Sequence, residues 1–461
     1  MVEVDRRVVL LVVTLTSFLT PFAASSFNIA LPSISKEFGL DAVTMSWASL
    51  AYLLASAMFL VPFGRLADIY GRRKVFLIGT IAFTFSALLL GIYPSAETIL
   101  MLRALQGISA AMIFGTGMAI LISVTPPSEK GAILGVNAAS VYIGLSVGPY
   151  IGGVLTDVLG WRSILFTTAA IGVVAVAFMF WRLKGEWKEA SGETFDLQGS
   201  AIYSVMLLSL MYGFSLIPSV NSVVPILIGV FAGGVFLRVE AKAKHPVLDI
   251  NLFRSNRAFT FSNIAALINF SATYAVTFLM SLYLQYVKGL SPEGAGLVLI
   301  ASPVVQAIVS PMAGKLSDRM EPRKVSAIGM GITILGLIPF IFISEATDVL
   351  VVVGSLALLG FGLSVFSSPN TNAGMSSVDK RLYGVASSTL GTMRLTGQML
   401  SMGITMIIFA TVIGRVEIVP EVYGKLTGSI NVAFTIFSAL CLLGVFASLA
   451  NNRRLDKPDR S

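Results

Sequence analysis

Apolar residues gather along the chain in long blocks, each closed by a short polar link. The blocks fall at 8–31, 45–66, 74–93, 98–122, 132–155, 163–182, 197–217, 222–239, 258–284, 292–315, 325–343, 348–370, 382–413 and 428–450. About 20 apolar residues cross the roughly 30 Å hydrocarbon layer as a helix, which satisfies its own backbone polar groups where no water can. The pattern predicts an all-α membrane protein with about fourteen transmembrane helices. Pro218 and Pro225 bracket the link between 197–217 and 222–239, so that pair reads as two helices or as one re-entrant hairpin. Two helices are expected.

Composition points the same way. Of 461 residues, 55% are hydrophobic and 12% charged, and the mean hydropathy is +0.85, too apolar for a water-soluble domain of this size. Cys441 is the only cysteine and His245 the only histidine, so disulfides within the chain and Cys/His metal clusters are excluded; no metal or cofactor is expected. The first block imitates a secretory signal, with Arg6 and Arg7 before it and Ala23, Ala24 and Ser25 within it. An internal repeat argues for its retention.

An even helix count places both termini on one side. Of the 32 Lys and Arg residues, 25 fall on that side, five on the other (Lys36, Arg162, Lys288, Arg415 and Lys425), and two, Arg103 and Arg394, inside blocks. The positive-inside rule makes the terminal side cytoplasmic. The net charge of +8 is therefore a topology signal, and no nucleic-acid partner is expected. Trp47, Trp161 and Trp181 sit near block ends, as interfacial anchors do.

The segment Gly64-Arg65-Leu66-Ala67-Asp68-Ile69-Tyr70-Gly71-Arg72-Arg73-Lys74 recurs as Gly314-Lys315-Leu316-Ser317-Asp318-Arg319-Met320-Glu321-Pro322-Arg323-Lys324, with Gly, Leu, Asp and the closing Arg-Lys at identical spacing. The shift of 250 residues also carries Arg7 onto Arg257, each just before a block. The halves are thus parallel repeats of six helices. The expected units are a first bundle, 1–183, an inserted helix pair with its links, 184–257, and a second bundle, 258–461.

GRLADIYGRRK resembles the cytoplasmic loop signature of the major facilitator superfamily, and the six-plus-two-plus-six layout is similar to its fourteen-helix drug:proton antiporter branch. In this loop Gly64 and Gly71 permit tight turns, and Asp68 can accept hydrogen bonds from Arg72 or a helix N-terminus. The resemblance makes Gly64, Arg65, Asp68, Gly71, Arg72, Arg73 and Lys74, with Gly314, Asp318 and Arg323, a gate that latches the two bundles. A charged, solvated loop is the plainer reading.

Gly144, Gly148, Pro149, Gly152 and Gly153 in the fifth block combine close-packing glycines with a proline that frees a carbonyl. They resemble the exporter signature of the same family, against a generic small-residue seam. Arg103 and Gln106 resemble a family motif linked to proton coupling, although Arg103 is near enough to the block's end to snorkel to the interface. Arg394, with Gln398 one turn on, lies nearer mid-membrane. Asn28 and Asn137, together with Asn269, Gln306, Asn370 and Asn372, could line a cavity or bond between helices.

One departure matters. Phe27-Asn28-Ile29-Ala30-Leu31-Pro32 resembles a first-helix family signature that carries Asp five residues before the Asn, where this chain has Ala23. No other Asp or Glu falls near a block's midpoint; Asp157, Glu97 and Asp348 are at outer ends. A buried cation without a counter-charge costs several kcal/mol, so neutral or anionic amphiphiles suit Arg103 and Arg394 better. Proton coupling is then left to Asp157 or Asp68. The expectation is a monomeric cell-membrane exporter of small amphiphilic, drug-like molecules that works by alternating access with protons as the coupling ion. The runner-up is transport of a specific metabolite or lipid-like solute without that coupling. The chain lacks a phosphate-binding Gly-x-x-x-x-Gly-Lys-Ser/Thr loop and an intramembrane cluster of catalytic groups, which argues against ATP drive and against an enzyme.

Overall fold

The computed structural model describes residues 6–126, 129–188, 190, 195–243, 248, 250–378 and 383–450, without the side chains of 130–132, 134, 138, 318, 383 and 384. Among them are 14 helices long and apolar enough to cross a membrane. They are α1 (Arg6–Phe38), α2 (Ala42–Tyr70), α3 (Arg72–Ile92), α4 (Ala96–Ser123), α5 (Gly135–Leu159), α6 (Arg162–Arg182), α7 (Leu197–Leu216), α8 (Val220–Glu240), α9 (Arg257–Val287), α10 (Pro292–Ser317), α11 (Pro322–Phe342), α12 (Val349–Ser376), α13 (Val385–Ile413) and α14 (Pro420–Leu449). The side carrying Arg6 and Arg72 is termed the basic face, and the side carrying Asp41 and Arg415 the far face.

Four of the helices entering from the far face begin on capping residues. Asp41 accepts from the N–H groups of Val43 and Thr44 at 2.8 Å, Ser95 and Thr98 form a reciprocal capping box, and Ser291 and Asp348 cap α10 and α12. Each cap satisfies backbone donors that would otherwise meet lipid or headgroup, a contribution of about 1 kcal/mol. Block 197–217 with 222–239 is two helices, α7 and α8. Other blocks are less regular than their hydropathy suggests, α11 ending in a 3-10 turn at Ile338–Phe342 and α13 in a π turn at Phe409–Ile413. α9 breaks its α-helical pattern at Tyr274 and ends in a π turn at Tyr283–Val287, and α10 is interrupted at Ile300. A polar or bent position does not register in a hydropathy window.

The duplication is visible in packing. In the first half α1 packs on α5 and α6, α4 on α2 and α3, and α3 on α6; in the second, α9 packs on α13 and α14, α12 on α10 and α11, and α11 on α14. The inserted pair forms its own hairpin, with Tyr203 and Phe236 rings 5.3 Å apart. α7 then lies against α2 of the first half and α13 of the second. Tyr203 and Thr396 hydroxyls meet at 3.4 Å, and Arg415 donates to the Ser215 carbonyl at 2.7 Å.

Trp161 is not the interfacial anchor its position suggested. It is only 4% exposed and donates its indole N–H to Glu37 at 2.8 Å, joining the far ends of α1 and α6. A residue at a helix end can face the bundle as readily as the headgroups, and sequence position alone does not say which. Trp181, 66% exposed, does face outward.

Candidate functional site

The basic-face loop between α2 and α3 is held chiefly by its own half. Arg72 Nε donates to Asp68 Oδ1 at 2.7 Å, closing the pair foreseen within the motif. Gly71 adopts φ +126°, open to glycine, and a side chain there would strike Glu186. Glu186 in turn accepts from the Arg73 N–H at 2.8 Å, while Arg73 Nε donates to the Leu183 carbonyl at 2.6 Å and the Arg72 N–H to Trp187 at 3.0 Å. The segment after α6 thus clasps the loop. Gly64 lies against Gly115 of α4, Arg65 is half-buried and Lys74 exposed.

In the second copy Arg323 and Lys324 both pair with Glu321 at 3.1 Å. They hold its carboxyl below the usual carboxylate range, Lys324 foremost. Gly314 faces Ser368, and the Asp318 side chain lies outside the described residues.

The glycines of α5 are distributed over two contacts. Gly144, Gly148 and Gly152 face α1, where an added Cβ would meet the Phe18 carbonyl at 2.6 Å, the Ser25 hydroxyl, and Ser26 Cβ at 2.7 Å. Ser26 donates to the Gly148 carbonyl at 2.9 Å, a bond available only because the helices approach so closely. Gly153 and Pro149 face the other half instead: a Cβ on Gly153 would strike Pro292, and one on Gly296 the Pro149 carbonyl. Asn137 accepts from Ser17 at 2.8 Å and belongs to the α1–α5 seam. Asp157 is exposed near the far end of α5.

Arg103 does not reach the interface. It is 2% exposed, with Nε donating to the Ala48 carbonyl at 3.1 Å and Nη1 to Gln106 Oε1 at 2.9 Å. Its guanidinium lies over Phe27 at 4.3 Å and Tyr52 at 4.6 Å. Among the described residues no carboxylate pairs with it. Beside it Ser49 donates to Asn28 Oδ1 at 2.7 Å, and Tyr274 of α9 comes within reach of Asn28. From α9, Ser281 donates to the Asn28 carbonyl at 3.3 Å and Gln285 to that of Ile29 at 2.9 Å. The polar cluster therefore spans the seam between halves. Sequence reasoning missed Tyr52, Tyr274, Ser281 and Gln285; polar groups within or just beside apolar blocks were the only signal they offered.

Toward the far face the seam is tied further by the Ala42 N–H donating to Val416 at 3.2 Å, with Asp41 and Glu417 as antiparallel bridge partners. Arg394 lies deeper, about 14 Å along α13 from its start at Val385. It is exposed, stacks 5.0 Å from the Phe270 ring of α9, and makes no hydrogen bond or ion pair among the described residues. Gly391, one turn before it, faces Leu60 of α2 at 3.7 Å, and half-buried Gln398 is one turn after. Arg394 thus stands between α2 and α9, where the halves oppose one another. The remaining amides bond between or within helices: Asn370 to Ser262, Asn372 to Ser317 and Gln306 to Ser302. Buried Asn269 leaves both side-chain polar atoms unpaired.

Two parallel six-helix bundles, facing polar groups across a seam in the membrane and carrying an inserted helix pair, define a polytopic solute transporter. A sequence model of the Major Facilitator Superfamily matches residues 13–402, and the chain belongs to that family. It is 31% identical over 377 residues to the multidrug resistance protein Stp of Mycobacterium tuberculosis (strain CDC 1551 / Oshkosh), covering 80% of this chain and 70% of that one. It is 26% identical to the riboflavin transporter RibZ of Clostridioides difficile (strain 630), covering 98% and 99% respectively. A crystal structure of a POT family transporter in complex with 5-aminolevulinic acid superposes with TM-score 0.74 at 15% identity over 96% of each chain, a likeness of fold.

Proposed function

We propose that the protein exports small neutral or anionic amphiphiles across the cell membrane by alternating access, with both termini cytoplasmic and protons as the coupling ion. The observation that carries the charge preference is the pair of span-interior arginines: Arg103 and Arg394 have no acidic partner among the described residues. A positive site in a low-dielectric setting attracts an anion and repels a lipophilic cation. Ala23, where the resembled signature carries Asp, and the placement of described carboxylates near span ends remove the usual counter-charge for a cation.

The far-face ties among Asn28, Ile29, Ala42 and the second half support a conformation closed on that side and open toward the basic face, where Arg394 waits. Bundles 1–183 and 258–461 are the units that rock, and the clasped loop Gly64–Lys74, with its second copy, is the gate that re-forms when the basic face closes. Stp, a multidrug resistance protein, supports a drug-like substrate. RibZ supports a second reading, a specific metabolite, because it matches over nearly all of both chains.

The test is purified protein in liposomes under an imposed pH gradient, with proton movement followed while cationic, neutral and anionic amphiphiles are added. Proton flux evoked by neutral or anionic compounds is expected. Flux evoked by cations alone would overturn the charge preference, and solute movement without proton flux would overturn the coupling.

A further inference from the structure

A groove of about 460 Å³ runs between α1, α5 and α6 in the half of the membrane nearer the basic face, lined by Leu11, Leu15, Phe18, Ile143, Val174 and Phe178. It exists because α1 packs along both α5 and α6 while those two barely meet, leaving α1 as a floor between them. The groove faces away from the solute route. On α5, Pro149 and Gly153 point at the second half, and Ser140, which also lines the groove, lies nine residues from Pro149. At about 100° per residue that is the opposite side of the helix. The outward side of a bundle faces lipid.

What marks the groove as more than loose packing is its basic-face end. On α1, Arg7 precedes Leu11 by one turn; on α6, Arg182 follows Phe178 by one turn. Residues four apart stack on one helix face, so one arginine caps the α1 floor of the groove and another its α6 wall. Both are exposed, and Arg182 rests on the ring of Trp181 at 4.3 Å, the headgroup-level arrangement of an aromatic and a cation. From Phe18 to Leu11 the groove extends about 10 Å along the helix axis, with Arg7 about 6 Å further, which fits within one leaflet of about 15 Å of hydrocarbon.

We infer that this groove is a binding site for an anionic phospholipid of the basic-side leaflet, an acyl chain lying against Phe18, Ile143 and Val174 and the phosphate held between Arg7 and Arg182. Guanidinium forks match phosphate oxygens, and the cytoplasmic leaflet is the one that carries anionic lipid.

The test is binding of spin-labelled phosphatidylglycerol and phosphatidylcholine to the full-length protein in nanodiscs. Wild type is expected to prefer phosphatidylglycerol. Arg7→Gln with Arg182→Gln should lower that preference by on the order of fivefold per arginine, whereas Arg238→Gln, a basic-face arginine on α8, should leave it unchanged. Val174→Trp, which fills the groove, should reduce the immobilised fraction of both lipids. Equal binding of the two lipids by wild type, an unchanged preference in the double variant, or no effect of Val174→Trp would each overturn the assignment.

Discussion

Arg103 keeps a full charge inside the bundle by spreading its satisfaction over two hydrogen bonds and two ring faces. Lysine has no planar fork to share between Ala48, Gln106, Phe27 and Tyr52, so Arg103→Lys should lose about 2 kcal/mol of stability despite retaining charge. Thermal unfolding in detergent would show it as a lowered midpoint, and an unchanged midpoint would mean that the rings contribute little. That the residue is buried was not legible in the sequence. Its distance from the block's end allowed snorkelling, and only the positions of α1 and α2 around it remove that route. Arg394 shows the complementary case: its depth and the scarcity of mid-block acids were readable, its stacking on Phe270 was not. Acidification should leave the Glu321 pairing with Lys324 and Arg323 intact until pH falls through its lowered pKa, because a depressed carboxyl stabilises only while ionised. A double-mutant cycle on Glu321 and Lys324, measured by thermal unfolding across pH, should show coupling near neutrality and none in strong acid.

Helix α5 joins two interfaces through a single glycine pattern, and the two can be separated by substitution. Gly148→Val places a branched side chain on Ser25 and should destabilise the first bundle by about 1–3 kcal/mol. Gly153→Val instead pushes on Pro292 of the opposite half. It should leave bundle stability nearly intact but open the far face. With Cys441 replaced by Ala and Ser281 by Cys, far-side thiol labelling should rise in Gly153→Val and not in the Gly153 background; equal labelling would show that this contact does not hold the face shut. The glycines announced close packing in the sequence, but which of them met α1 and which met α10 depended on a helix azimuth that apolar surroundings on every side leave unmarked. The α2–α3 loop differs in the same way. Its internal Arg72–Asp68 pair was legible from spacing, whereas its clasp by Leu183, Glu186 and Trp187 joins segments more than a hundred residues apart.

At the scale of the molecule, the 250-residue repeat was the most informative feature of the sequence, because it implied both halves, their parallel orientation and the inserted pair. The packing of α1 to α6 recurs in α9 to α14 accordingly. Alternating access requires the far-face ties to break in each cycle. Asp41 and Glu417 are bridge partners, close enough for a disulfide. In a cysteine-free background, Asp41→Cys with Glu417→Cys should crosslink on oxidation, abolish transport and recover it on reduction. Full transport while crosslinked would rule out movement at this seam. The central claim, that the route through the molecule favours neutral or negative amphiphiles, is tested most directly by the equilibrium affinities of the purified protein for two amphiphiles that differ only in charge, compared with those of Arg394→Gln. The account predicts tighter binding of the anion, with the preference reduced or lost in the variant. Tighter binding of the cation by the wild-type protein, or a preference that Arg394→Gln leaves untouched, would contradict it.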